Sequence, residues 1–137
     1  IPMSLDPTNR EPGYLLGRLF AELENTQRAA LGKDINATIG DRYYGAASAT
    51  PASVFPLLLR GTRHHLSRLR KDKPGLAHTL DAAMGDIVSQ LGTRFPRHLS
   101  LEAQGQFVIG YYHQRGARFN KPEDAQSDAS SDSGEDA

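Results

Sequence analysis

TPASVFPLLLRGTRHHLSRLRKDK, residues 50–73, decides how this chain is read. On a helical wheel with Arg60 at zero, Phe55, Leu58, Leu66 and Leu69 gather between about 160° and 240°. Arg60, Arg63, His64, Ser67, Arg68, Arg70 and Lys71 fall on the other side, from about 280° through zero to about 80°. A strand would scatter both sets over its two faces. Only a helix separates them. Thr50 stands at the N-cap position and Pro51 at the first helical position. Pro56 stays near that first turn, where its ring permits a kink. His65, near 140°, sits on the edge of the buried side and reads as a hydrogen-bonded core residue.

The same period runs outward in both directions. Towards the N-terminus, Pro12 opens GYLLGRLFAELENTQRAALG, with Leu15, Leu16, Leu19, Phe20, Leu23 and Leu31 on one stripe and Gly32 as the stop. Glu24 and Arg28 are spaced to pair on the opposite face. ATIGDRYYGAAS reads as a short second helix. Towards the C-terminus, PGLAHTLDAAMGDIVSQLG repeats Leu76, Leu80, Ala83, Met84, Ile87, Val88 and Leu91 at three- and four-residue steps. Ser100 then caps LEAQGQFVIGYYHQRGARF. With no alternating segment and no Asn-Gly hairpin, the expectation is an all-α bundle of about five helices.

The 137-residue chain is long enough for one core. The expected divisions are an N-terminal extension at 1–12, a helical bundle at 13–120 and a tail at 121–137. The formal charge is zero, but it is unevenly placed. The tail KPEDAQSDASSDSGEDA holds six acids and one Lys, which leaves residues 1–120 with a net charge of +5. Its composition cannot offset ordering entropy, so the tail is expected to be disordered. It either screens the basic face until assembly or serves only solubility. There is no cysteine, which excludes disulfides and thiolate metal sites and fits a reducing compartment. No apolar run approaches the roughly 20 residues of a membrane span, and the first residues lack a signal-peptide pattern. A cytoplasmic protein is expected.

Five Arg or Lys along about 11 residues of helix make a track roughly 16 Å long. Ordinary solvated faces mix both signs, whereas this one meets no acid before Asp72. Guanidinium groups match phosphate geometry, so the track suits a nucleic-acid backbone. A membrane surface fits less well, because Leu57 is the only large apolar residue within the cationic arc. Enzyme readings fail on spacing. His64 and His65 diverge by about 100° on a helix and cannot share a metal, and no His pair stands at i, i+4. No nucleophile elbow, phosphate-binding glycine loop or dinucleotide fingerprint is present. The tyrosines of GDRYYG and GYYHQR read as buried aromatics whose hydroxyls find partners, rather than as acid–base groups.

Four strings, GYLLGRLFAELENTQRAALG, INATIGDRYYGAASATPASVFPLLL, HHLSRLRK and LSLEAQGQFVIGYYHQR, span most of residues 13–115 in order. They resemble the C-terminal helical domain of the large subunit of type I-C CRISPR Cascade. In that family this region is also translated alone, from an internal start, as a free small subunit, and the present chain resembles that product. The acidic tail after Phe119 is longer than the family motif requires.

The resemblance implies a part without catalytic activity or cofactor, in an interference complex of large, processing and repeated backbone subunits with guide RNA. Small subunits there line the belly, support the RNA–DNA heteroduplex and hold the displaced strand, while a separate helicase-nuclease cuts. The wheel, and not the resemblance, nominates the residues. Arg60, Arg63, His64, Arg68, Arg70 and Lys71 form the track, with Arg42 a weaker member that can instead pair with Asp41 or Glu11. Tyr43, Tyr44, Tyr111 and Tyr112 either stack on bases or pack in the core. A rival reading makes the chain a spacer whose cations meet acidic neighbours and whose Leu57 and Leu59 anchor interfaces. An unrelated helical nucleic-acid-binding module is a third reading, should the likeness be accidental.

Overall fold

The protein is described from a computed structural model, over residues 4–32, 35, 37–92 and 94–119, with side chains to residue 117. Five helices follow one another: α1 Pro12–Leu31, α2 Ile39–Ala49, α3 Pro51–Asp72, α4 Pro74–Leu91 and α5 Leu101–Phe119. No strand occurs among the described residues, so the all-α expectation holds. None of these helices is long and apolar enough to cross a membrane. The tail at 121–137 lies outside the described residues.

Local chemistry explains the boundaries. Pro12, Pro51 and Pro74 each open a helix, where a missing N–H costs nothing. Gly32 and Gly92 close α1 and α4 with φ of 53° and 90°, a left-handed conformation that suits glycine. Thr38 and Asp41 form a reciprocal capping box at the start of α2. Ser100 Oγ accepts from the Ala103 N–H at 3.0 Å, as expected of a cap on α5. Thr50 departs from expectation. Its hydroxyl donates to the Ala46 carbonyl at 3.0 Å, so it serves the end of α2 and makes no side-chain cap for α3. Pro56 sits inside α3 without ending it.

The larger correction concerns α1. It is not a surface helix with one apolar stripe, because every residue from Gly13 to Glu24 is buried. It is the central rod of the bundle, and α5 lies along it in parallel. Glycines set that contact. A methyl group at Gly17 would strike the Phe107 carbonyl, one at Gly13 the Ala103 carbonyl, and one at Gly110 the Tyr14 carbonyl. Backbone therefore meets backbone, closer than helices bearing larger side chains can approach.

Around that rod the apolar residues close a single core. Phe20 is its hub, with ring centroids of Phe107 and Tyr111 each at 5.8 Å, Tyr44 at 5.7 Å and Phe55 at 6.3 Å. Such tilted and edge-on pairs each contribute about 0.5–1.5 kcal/mol beyond area burial. Leu58, Leu66 and Leu69 of α3 and Ala77, Leu80, Met84 and Ile87 of α4 complete it. The segment between α4 and α5 folds back over the α2–α3 junction. There Phe95 stacks on Phe55 at 5.3 Å and the Pro96 carbonyl accepts from Ala52.

The central rod also carries polar groups, and α5 answers four of them, while Thr26 satisfies its hydroxyl on the Glu22 carbonyl within α1. Tyr14 Oη meets His113 Nδ1 at 2.9 Å, and the Asp6 N–H donates to that same hydroxyl, tying residues before α1 to the bundle. Arg18 Nε donates to Gln114 Oε1 at 2.9 Å, and Gln114 Nε2 donates to Glu22 Oε2 at 2.6 Å. The Tyr111 hydroxyl donates to Glu24 Oε1 at 2.5 Å. Glu24 does reach Arg28, at 3.9 Å, but its side chain is 3 % exposed, so the pair does not lie on the open face expected for it. GYYHQR is thus a lock: one glycine for approach and Tyr111, His113 and Gln114 as three polar bolts. Burial of this kind is tolerable because partners are supplied, although Arg18 Nη1 is buried without one.

Candidate nucleic-acid interface

The leucines of α3 turn inward as the wheel requires. Val54, Phe55, Leu58, Thr62, Leu66 and Leu69 are buried, and Thr62 satisfies its hydroxyl on the Leu58 carbonyl at 2.9 Å. Arg60, Arg63, His64, Ser67, Arg68, Arg70 and Lys71 are all exposed along the outer face. Both basic residues of the last turn, Arg70 and Lys71, stand where the helix dipole favours cations, which stabilises the end of α3 locally.

Arg70 is not wholly available. Its Nη2 lies 3.6 Å from Asp81 Oδ2 on α4, with both side chains more than half exposed. Such a solvated pair contributes little and yields readily to a stronger anion. Arg60, Arg63 and Lys71 make no ion pair with a carboxylate among the described residues. His65 is half-buried, and loss of hydration, followed by the charges of His64 and Arg68, holds its pKa below the ordinary value.

Arg42 stands apart, exposed on α2. Among the described residues it pairs with neither Asp41 nor Glu11, and Asp41 Oδ2 instead accepts from the Thr38 N–H at 2.9 Å. The four tyrosines divide. Tyr111 is buried, and Tyr43 and Tyr44 are half-buried against the core. Tyr44 packs its ring edge-on to Tyr111 at 5.0 Å. Tyr112 alone of the four turns more than half of its surface to solvent, with the Arg115 guanidinium 5.9 Å from its ring centroid. Of the apolar anchors considered above, Leu57 is 45 % exposed and Leu59 is half-buried.

Two features escaped the sequence reading. The spacing Gly13-x-x-x-Gly17 was a usable sign of close helix approach. The groove between α3 and α4, which Arg63 and Asp81 both line, gave no sign, because only tertiary packing brings those residues to one groove.

Comparison with known families gives the chain a CRISPR-associated context. Residues 1–119 match the model described as CRISPR-associated protein (Cas_Csd1). The chain belongs to that family. The match covers every described residue, so the central rod, its lock and the basic face of α3 all lie within the family region. No curated protein matches the chain.

Proposed function

We propose that this chain is the small subunit of a type I-C Cascade effector complex, and that it is non-catalytic. It lines the belly of the assembly beside the backbone subunits, the large subunit and a further copy of itself. There it supports the guide RNA–target DNA heteroduplex and holds the displaced single strand on the outer face of α3. Membership of the Cas_Csd1 family supports the CRISPR context. The observation that carries the DNA-handling role is the division of α3, with leucines packed inward and Arg60, Arg63, His64 and Lys71 facing out. In RNA-guided recognition base pairing reads the sequence, and protein is left with backbone geometry and the displaced strand. A sequence-blind row of cations suits that task.

The competing role is a spacer that never touches DNA, with exposed Leu57 as an interface anchor. Photo-crosslinking from probes in the displaced strand of an assembled complex separates the two. Crosslinks to α3 support the proposal, and their absence favours the spacer.

A further inference from the structure

The α3 track borders a groove between α3 and α4. Leu59, Thr62, Arg63 and Leu66 of α3 face Asp81, Met84, Gly85 and Val88 of α4 across a groove of about 260 Å³. Its walls are largely apolar, and Leu66 and Met84 are buried at its base. The volume falls short of the ~300–1,000 Å³ typical of sites for drug-sized ligands, so it suits one ring system. Arg63 belongs to both features: it is a member of the outer cationic row and a wall of the groove. A strand whose phosphates ran along Arg60, Arg63 and His64 would therefore carry its bases past the groove mouth.

From this we infer that the α3–α4 groove seats one unstacked base of the single strand held on α3. The inference rests on the function proposed above. Leu59, Met84 and Val88 supply the apolar contact that a flipped base makes with a protein pocket. Asp81 supplies polarity at the rim. Arg70 faces its Oδ2 at 3.6 Å, and the carboxylate retains lone pairs that can accept from an exocyclic amine. Cytosine presents such an amine, whereas thymine presents a carbonyl there. The groove should therefore prefer cytosine to thymine.

Gly85 makes the groove testable. A Cβ built there meets nothing within 4 Å, so Gly85→Leu adds bulk to the groove lining without a clash at the backbone. With the full chain and short single-stranded dC and dT homopolymers, we expect tighter binding to dC. Gly85→Leu should weaken dC binding about fivefold or more, the lower end of what one base contact contributes, and leave the salt dependence unchanged. Asp81→Ala should erase the preference for dC. A dC strand interrupted by abasic nucleotides keeps its phosphates, so it should lose the same factor on the parent protein and nothing further on Gly85→Leu. If Arg60→Glu with Arg63→Glu weakens binding while Gly85→Leu and the abasic strand do not, the base seat is wrong and the cationic track stands. If none of the three changes affinity, both readings fall. Should Gly85→Leu spare DNA binding but block co-assembly with the large subunit, the groove takes a protein side chain and the inference is overturned.

Discussion

Tyr111 on α5 donates its hydroxyl hydrogen to the Glu24 carboxylate on α1 at 2.5 Å, and both side chains are buried. Burial first, and then the hydrogen bond to that carboxylate, push the Tyr111 hydroxyl well above the ordinary tyrosine pKa. A raised pKa in the folded state means that the unfolded chain releases its proton first. The stabilisation is complete below about pH 10, where unfolded tyrosine begins to ionise, and is lost as pH rises further. Tyr111→Phe should cost about 1–3 kcal/mol at neutral pH, because Glu24 is left buried without that donor. It should also flatten the alkaline decline. Urea melts of the parent and the variant at pH 8, 10 and 11 check both; parallel alkaline declines would refute the linkage.

Gly17 and Gly85 should respond to alanine with opposite signs. At Gly17 the added methyl meets the Phe107 carbonyl, which is backbone and cannot swing aside, so α1 and α5 must separate. The expected loss is at least the ~1–3 kcal/mol usual for overpacking. At Gly85 in α4, and equally at Gly61 in α3, the methyl meets nothing within 4 Å. There Gly→Ala should gain up to about 1 kcal/mol from helix propensity. Thermal melts of the three variants decide, and equal shifts would mean that the glycine contact does not hold the rod and α5 together.

What was legible in the sequence follows from how local each cause is. The period of α3 and α4, the proline starts and the glycine stops are written within a few residues of where they act, so those helices could be placed from the letters alone. The status of α1 was not local. Its apolar stripe describes a helix covered on one side, yet Arg18, Glu22 and Glu24 are also buried, and Gln114 and Tyr111 come from about 90 residues away to bond Arg18 Nε and the two carboxylates. Thr50 misled for a related reason. A threonine between two helices can bond backward as easily as forward, and here it bonds Ala46. On the interface, exposure of the cations followed from the wheel. The Arg70–Asp81 pair and the groove beside it depend on how α4 docks on α3, which no spacing within either helix records.

His65 should give the stability curve an acid limb. Its pKa is held low, chiefly by desolvation and next by His64 and Arg68, so the unfolded chain takes up a proton at a higher pH than the folded one. The contribution is present above the unfolded value near pH 6.5 and fades as pH falls through the folded value. His65→Gln should remove this part of the decline. His64→Gln should leave it, and should slightly ease His65 protonation by deleting a neighbouring charge. Denaturant midpoints between pH 5 and 7.5 test this; an unchanged slope in His65→Gln would place the acid sensitivity elsewhere.

Salt offers the sharpest test of the outer face of α3. If about four of its cations neutralise phosphates of a single strand, log affinity should fall against log salt with a slope near −3. Arg60→Glu combined with Arg63→Glu removes two of those contacts, so the slope should shrink to about −1.4 and affinity at low salt should drop steeply. Both side chains are exposed and neither enters the core, so the helical circular-dichroism spectrum should not change. The measurement belongs both in the free chain and in the assembled complex, where other subunits add their own phosphate contacts. A double variant that captures the displaced strand as well as the parent does would show that the row of cations is a solvated surface.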